Sequence, residues 1–271
     1  MSDRRDLTPL FEPRSVLLVG ATGDPLKWGG WVTKSFADTQ HLRDTHFVSL
    51  RGGELYGLPV HTAIADVDDE IDLAVIVVPA RVAVRQVEAC AAAGVRGVMV
   101  VSSGFAEAGD EGRALQDELR AIALRHRLPV LGPNVEGFVN YVDRVAPYGT
   151  TPPPEPVPGD ISVLSQSGTV AWTMNQLASD RGQGLRIILG VGNEAVLGLG
   201  DLFAWAAADP RTRVVTSYLE TMRDVTGIGR GLDALRAAGK PVIICAPSGR
   251  SEAARASIVA HTGALAGDTA I

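Results

Sequence analysis

Ser15-Val16-Leu17-Leu18-Val19-Gly20-Ala21-Thr22-Gly23 reads as a short buried strand running straight into a glycine turn. Further glycines follow at 29 and 30. The spacing is looser than the dinucleotide fingerprint, yet it keeps the same physical parts. Glycine lets the backbone approach a phosphate closely, and the helix that follows offers its free N–H groups to the anion. NAD, a nucleotide or coenzyme A would all fit Gly20, Thr22 and Gly23, and so would a tight turn that binds nothing.

Moving outward, the pattern repeats. A helix is expected over 31–39 and a second strand over 46–50, running into Arg51-Gly-Gly-Glu-Leu-Tyr-Gly-Leu-Pro59. A third strand covers 72–79 and ends at Pro79; a fourth covers 97–101 and ends in Ser102-Ser103-Gly104; a fifth covers 129–134 and ends at Asn134. Helices are expected over 82–93 and 110–127 between them. Strands that alternate with helices make a parallel, doubly wound sheet. Ligands of such sheets bind outside the carboxyl ends of the strands. An NAD-binding domain usually places an acidic residue at the end of its second strand, to hold ribose hydroxyls. Arg51 stands there instead, which suits a phosphorylated ribose, and a solvated surface arginine is an equal alternative.

The 271 residues suffice for roughly two domains of ordinary size. A net charge of −6, a pI near 5.4 and the absence of a basic stripe argue against nucleic acid as a partner. No run of about 18 apolar residues marks a membrane span, and no apolar segment follows the first residues as a signal peptide has. Cys90 and Cys245 both lie in apolar context and read as buried free thiols of a cytoplasmic protein.

The second half begins after the proline-rich stretch at 150–158, which reads as a stiff extended linker and domain boundary. Residues 1–149 form one expected domain and 159–271 the other, the latter incomplete at its C-terminal end. A strand over 159–164 leads into Ser165-Gln166-Ser167-Gly168-Thr169, and a helix follows to about 179. A helix start after small residues can cradle a phosphoryl group, or can simply be an N-capped turn. Strands are expected at 186–193 and 214–220, the second ending at Glu220, with helices at 202–208 and 226–238. A last strand at 242–245 is expected to be buried. It precedes an Ala-rich helix that delivers His261 into Thr262-Gly263. A lone histidine at a helix end most often complements the dipole.

Several stretches resemble one family, the NDP-forming acyl-CoA synthetases, relatives of the succinyl-CoA synthetase α subunit. In the first half they are Val-Gly-Ala-Thr-Gly-Asp-Pro, Arg-Gly-Gly-x-x-x-Gly-Leu-Pro, Val-Val-Pro-Ala, Ser-Ser-Gly-Phe-Ala-Glu and Leu-Gly-Pro-Asn. In the second they are Ser-x-Ser-Gly, Gly-Asn, Tyr-x-Glu and Ser-Gly-Arg-Ser-Glu with His-Thr-Gly-Ala-Leu-Ala-Gly, in the family's order. The resemblance spans about residue 10 to 271. It implies a Rossmann-like CoA-binding domain followed by a flavodoxin-like parallel α/β domain. By the same analogy Gly20, Thr22, Gly23, Arg51, Pro79, Ser102, Ser103 and Asn134 line CoA. Ser165, Ser167, Gly168 and Thr169 cradle phosphate, His261 carries the phosphoryl group and Glu220 holds the imidazole. The implied reaction joins a carboxylic acid to CoA at the expense of ATP or GTP, through an acyl phosphate and phospho-His261. Nucleotide and magnesium belong to an ATP-grasp domain or β-type subunit outside this chain; no residue here is assigned to a metal. Homo- or hetero-oligomers are both compatible with it.

One departure stands out. The family often continues Gly-Pro-Asn with Cys-Leu-Gly or Cys-Pro-Gly, and this chain has Val135-Glu136-Gly137. A carboxylate there changes what sits near the thiol end of CoA. It leaves a second reading open, a CoA-binding regulatory module without ligase chemistry. An NAD(P)-dependent oxidoreductase is a third, for which the second half offers no hydride chemistry.

Overall fold

Two α/β sheets account for the residues described by the computed structural model, 6–149 and 157–246. The first half comprises α1 (Thr8–Phe11), β1 (Ser15–Val19), α2 (Trp28–Asp38), β2 (Asp44–Val48), β3 (Gly53–Leu55), β4 (Leu58–His61), β5 (Leu73–Ile76), α3 (Ala80–Ala92), β6 (Gly97–Val100), α4 (Asp110–Arg125) and β7 (Val130–Leu131). Every residue of β1, β5 and β6 is buried, as expected where helices cover both faces of a parallel sheet. Helix α3 turns Ala83, Val84, Val87 and Cys90 inward as one helical stripe. Helix α4 buries Gly112, Leu119, Ile122 and Ala123, leaving much of its charge outward.

The first sheet runs β3-β4-β2-β1-β5-β6-β7, all parallel except β3, which pairs antiparallel with β4. Without β3, the parallel strands lie third, second, first, fourth, fifth and sixth in chain order. This is the dinucleotide-fold order, reversing between β1 and β5. The β3–β4 hairpin was not expected; it occupies the Arg51–Pro59 stretch, where glycine-rich sequence reads as loop. Helix α2 starts at Trp28 rather than at 31.

The second sheet comprises β8 (Phe138–Asn140), β9 (Pro158–Ser165), β10 (Leu185–Gly190), β11 (Val214–Tyr218) and β12 (Val242–Cys245), with α5 (Gly168–Asp180), α6 (Leu199–Ala208) and α7 (Val225–Ala237) between them. Its order is β12-β11-β9-β10-β8. Strands β9 to β12 are parallel in the flavodoxin-like order, reversing between β9 and β11. Strand β8 is antiparallel to β10, so the sheet is mixed. It comes from residues expected in the first domain, and Pro158, expected in the linker, opens β9. Residues 150–156 of the linker lie outside the described residues. Among the described residues strand β12 is a sheet edge, and from Ile243 onward it is exposed, not buried as expected; Cys245 is exposed with it, whereas Cys90 is buried.

One apolar cluster runs through both sheets. It joins Val16, Leu18 and Val75 of the first to Leu164, Ile187 and Leu189 of the second. Phe11 of α1 is a link between them. Its ring meets Phe138 edge-on at 5.4 Å and Trp205 of α6 at 4.7 Å. Beside it Arg186 is fully buried, donating to Asp209 (2.9 Å), Asn140 (2.6 Å) and Glu12 (2.6 Å).

Candidate functional site

The carboxyl ends of both sheets open onto one cavity of about 760 Å³. From the first sheet it is lined by Val77 to Pro79 after β5, Val101 to Ser103 after β6 and Asn134 to Glu136 after β7. From the second it is lined by Gln166 to Thr169 after β9, Gly192 to Glu194 after β10, and Glu220, Thr221 and Arg223 after β11. Chain reversal in each sheet leaves no crossover covering these strand ends, which is why a crevice forms there.

Seven of the expected site residues lie on the walls of this cavity and share it with Glu220: Pro79, Ser102, Ser103, Asn134, Ser167, Gly168 and Thr169. The Ser102 hydroxyl donates to the Val78 carbonyl. Asn134 adopts a φ of +58°, and its Nδ2 donates to Asn193 Oδ1 at 3.2 Å, across the two halves. Gly20, Thr22, Gly23 and Arg51 are not among the lining residues. They lie at the carboxyl ends of β1 and β2, on the same edge of the first sheet. Gly20 has a φ of +99°, and a Cβ there would stand 2.3 Å from the Val77 carbonyl oxygen, so only glycine fits. Arg51 is exposed.

The Ser-Gln-Ser-Gly turn divides its labour. Ser167 is the N-cap of α5, accepting from Val170 N–H at 3.3 Å. The N–H groups of Gly168 and Thr169 have no acceptor among the described residues and belong to the positive end of the helix. Ser165 departs from expectation. It is fully buried, donates to the Ser167 carbonyl at 2.7 Å and accepts the Ser167 N–H at 3.1 Å. It shapes the turn and is turned away from the cavity. His261 lies outside the described residues.

Three further carboxylates join Glu220 in this cavity: Glu136, which the sequence sets near the thiol end of CoA, and Glu107 and Glu194, which sequence reading did not place. Glu136 accepts from the Tyr148 hydroxyl at 3.1 Å and packs over Gly168, where an added Cβ would stand 2.5 Å from its carboxyl carbon. Burial pushes the Tyr148 phenol far up, and the Glu136 charge adds to this, so Tyr148 remains a donor. Glu107 accepts from Gly104 N–H (2.6 Å) and from Asn193 Nδ2 (2.5 Å). Burial pushes its carboxyl up, but the Asn193 amide and nearby backbone N–H groups outweigh it and hold the carboxyl below its ordinary value. Glu194 goes the other way. Burial raises it, against the pull of Gln166, Leu199 N–H and Arg223. Asn193 had a signal in the Gly-Asn motif. Glu136 had one in the departure from Gly-Pro-Asn-Cys and Glu107 closes the Ser-Ser-Gly-Phe-Ala-Glu stretch, whereas Glu194 had none; only the packing of one sheet against the other brings the three together.

Comparison with known proteins agrees with this geometry. Residues 14–140 match the CoA binding domain and residues 158–271 the succinyl-CoA ligase like flavodoxin domain. The chain belongs to the NDP-forming acyl-CoA synthetase family. The α subunit of acetate–CoA ligase (ADP-forming) I of Pyrococcus furiosus is 33% identical over 96% of this chain and 56% of its own length. A trans-feruloyl-CoA synthase from an unknown prokaryotic organism is 33% identical over 100% of this chain and 39% of its own length. The dinucleotide-forming acetyl-coenzyme A synthetase 1 of Ca. Korarchaeum cryptofilum, solved with phosphate and ADP, superposes with a TM-score of 0.86. It is 31% identical, covering 97% of this chain and 56% of that one. The chain thus spans about half or less of the length of these relatives. As in the family, its two α/β units carry the CoA-binding and flavodoxin-like folds. Among the described residues no helix is long and apolar enough to cross a membrane.

Proposed function

We propose that this chain is the CoA-binding and phosphoryl-carrying component of an NDP-forming acid–CoA ligase, acting with an ATP-grasp domain or subunit in the cytoplasm. The observation that carries the reading is the shared cavity. It sets the strand ends of the CoA-binding fold against the free helix start at Gly168–Thr169, with Glu220 in the same wall. A thioester synthesis through acyl phosphate needs these two surfaces to meet.

In this reading the γ-phosphoryl group of ATP or GTP passes to one imidazole nitrogen of His261. The N–P bond forms as the bond to the departing NDP breaks. Glu220 holds the other ring N–H, which fixes the tautomer and supports the developing cation. A carboxylate oxygen of the acid then attacks phosphorus and releases the imidazole, giving the acyl phosphate. The N–H groups of Gly168 and Thr169 stabilise the phosphoryl oxygens through this exchange. CoA thiolate attacks the acyl carbon and phosphate leaves. Gly20, Thr22, Gly23 and Arg51 are positioned to take the nucleotide end of CoA along β1 and β2, while Pro79, Ser102, Ser103 and Asn134 guide its thiol end into the cavity. Magnesium comes with the nucleotide on the ATP-grasp part.

The experiment is phosphoryl transfer. The chain, its ATP-grasp partner, magnesium and γ-labelled ATP should give an acid-labile, base-stable label that His261→Ala abolishes. Full NTP-dependent thioester formation by His261→Ala would overturn the reading. Glu136 over the α5 start favours a second reading, a CoA-binding module, because a carboxylate disfavours phosphate beside it. That reading predicts calorimetric CoA binding with no label.

A further inference from the structure

Gln166, between β9 and α5, has a side-chain amide with no bonding capacity left. Its Oε1 accepts Glu220 N–H at 2.6 Å and Thr221 N–H at 2.8 Å. Its Nε2 donates to the Thr221 carbonyl at 2.8 Å and to Glu194 Oε1 at 2.5 Å. A primary amide has two donor hydrogens and two acceptor lone pairs, and all four are used. Gln166 therefore lines the cavity without a group to offer a ligand, and what it does there it does through the loop that carries Glu220.

Glu194 is held in a conformation that is costly for a residue with a side chain, a φ of +55°. Its Oε2 accepts from Leu199 N–H at 3.3 Å, anchoring it to the start of α6. The sheet does not need this arrangement, since β9 and β11 already pair from Ile161 to Ser165. The bonds of Gln166 begin where that ladder ends. They tie the loop after β11 to the loop after β10, two segments with no strand pairing to each other.

We propose that Gln166 and Glu194 form a positioning pair that fixes the Glu220 carboxylate in the cavity. The proposal rests on the phosphoryl-transfer reading, in which Glu220 holds the histidine. Displacement of such a group by about 1 Å costs on the order of a hundredfold in rate. The charged groups around Glu194 are Arg223 after β11, Asp201 in the first turn of α6, and Glu220 in the same cavity. Arg223 favours its ionised form and Asp201 opposes it.

The test uses the chain with its ATP-grasp partner and follows thioester formation against pH, with CoA affinity measured by calorimetry. Gln166→Ala and Glu194→Ala should each lower kcat by roughly ten- to a hundredfold while leaving CoA affinity within about twofold. Glu194→Gln keeps an acceptor for the Gln166 amide and should recover most of what Glu194→Ala loses. Gln166→Glu sets a carboxylate oxygen against Glu194 and the Thr221 carbonyl. Only a shared proton restores the missing donor, so its rate should rise as pH falls. Gln166→Ala at the wild-type rate, or Gln166→Glu with an unshifted profile, would overturn the proposal. Indifference of the rate to Glu220→Gln would instead sink the ligase reading on which it stands.

Discussion

Arg186 carries a permanent charge at a position with no solvent exposure. The cost of taking that charge out of water is offset by a full set of acidic and amide partners from four segments: Glu12 after α1, Asn140 in β8, Asp143 after it and Asp209 after α6. Removing the cation leaves buried Asp209, with Glu12 and Asp143, to the partly exposed Arg211 alone, and breaking such a buried pair typically costs about 3–5 kcal/mol. Arg186→Ala should therefore lower the urea-unfolding free energy by that order. Burial raises the Asp209 carboxyl, but Arg211 N–H, Arg186 and Thr212 outweigh it and hold it below its ordinary value. A depressed folded value means a stabilisation fully present above the unfolded value and lost as acid protonates the folded group. Stability of the wild type should thus fall away below about pH 4, and this acid dependence should be shallower in Arg186→Ala.

Among the elements, α5 carries the most direct prediction. Ser167→Ala removes its N-cap acceptor and should cost about 1 kcal/mol in denaturant melts. It also frees Val170 N–H, and phosphoryl transfer should slow by more than CoA binding weakens, measured by label incorporation and calorimetry. The strands that sequence reveals well are the apolar runs β1, β5 and β6, because burial on both faces leaves a near-continuous hydrophobic signal. Short or edge strands carry no such signal. Strand β3 is mostly exposed and pairs only with β4, and β8 is three residues long and finds its partner about 50 residues later. Gly29 and Gly30 hide the first turn of α2, since glycine reads as loop although here it lets the helix lie against Gly20 and Asp24. The motif residues were legible as turns at strand ends. Gln166 was legible only as part of a motif, and Glu194 not at all, because their meeting depends on the register of three strands.

Across the whole molecule, the common apolar cluster makes the two sheets one energetic unit. Each fully buried Leu, Ile or Phe in it contributes roughly 1.5–3 kcal/mol of transfer free energy, and Phe11, from the first half, sets its ring against Phe138 and Trp205 of the second. The described part of the chain should unfold in urea as a single transition. Near-UV signals from Trp28 and Trp31 in the first half and Trp172 and Trp205 in the second should follow the same curve as far-UV ellipticity. Two separated transitions would show that the halves are energetically independent.

Strand β8 has a consequence for how such proteins are cut and recombined. The proline-rich stretch looks like the natural seam, yet the second sheet has already borrowed its outer strand from upstream of it. A fragment starting at residue 159 would leave β10 with a bare ladder of amides and carbonyls, the kind of surface that recruits foreign strands into aggregates. A fragment starting at Gly137 would bring its own selvedge. For anyone grafting this half onto another CoA-binding partner, the workable splice lies between Asn134 and Gly137, in the loop that also lines the cavity.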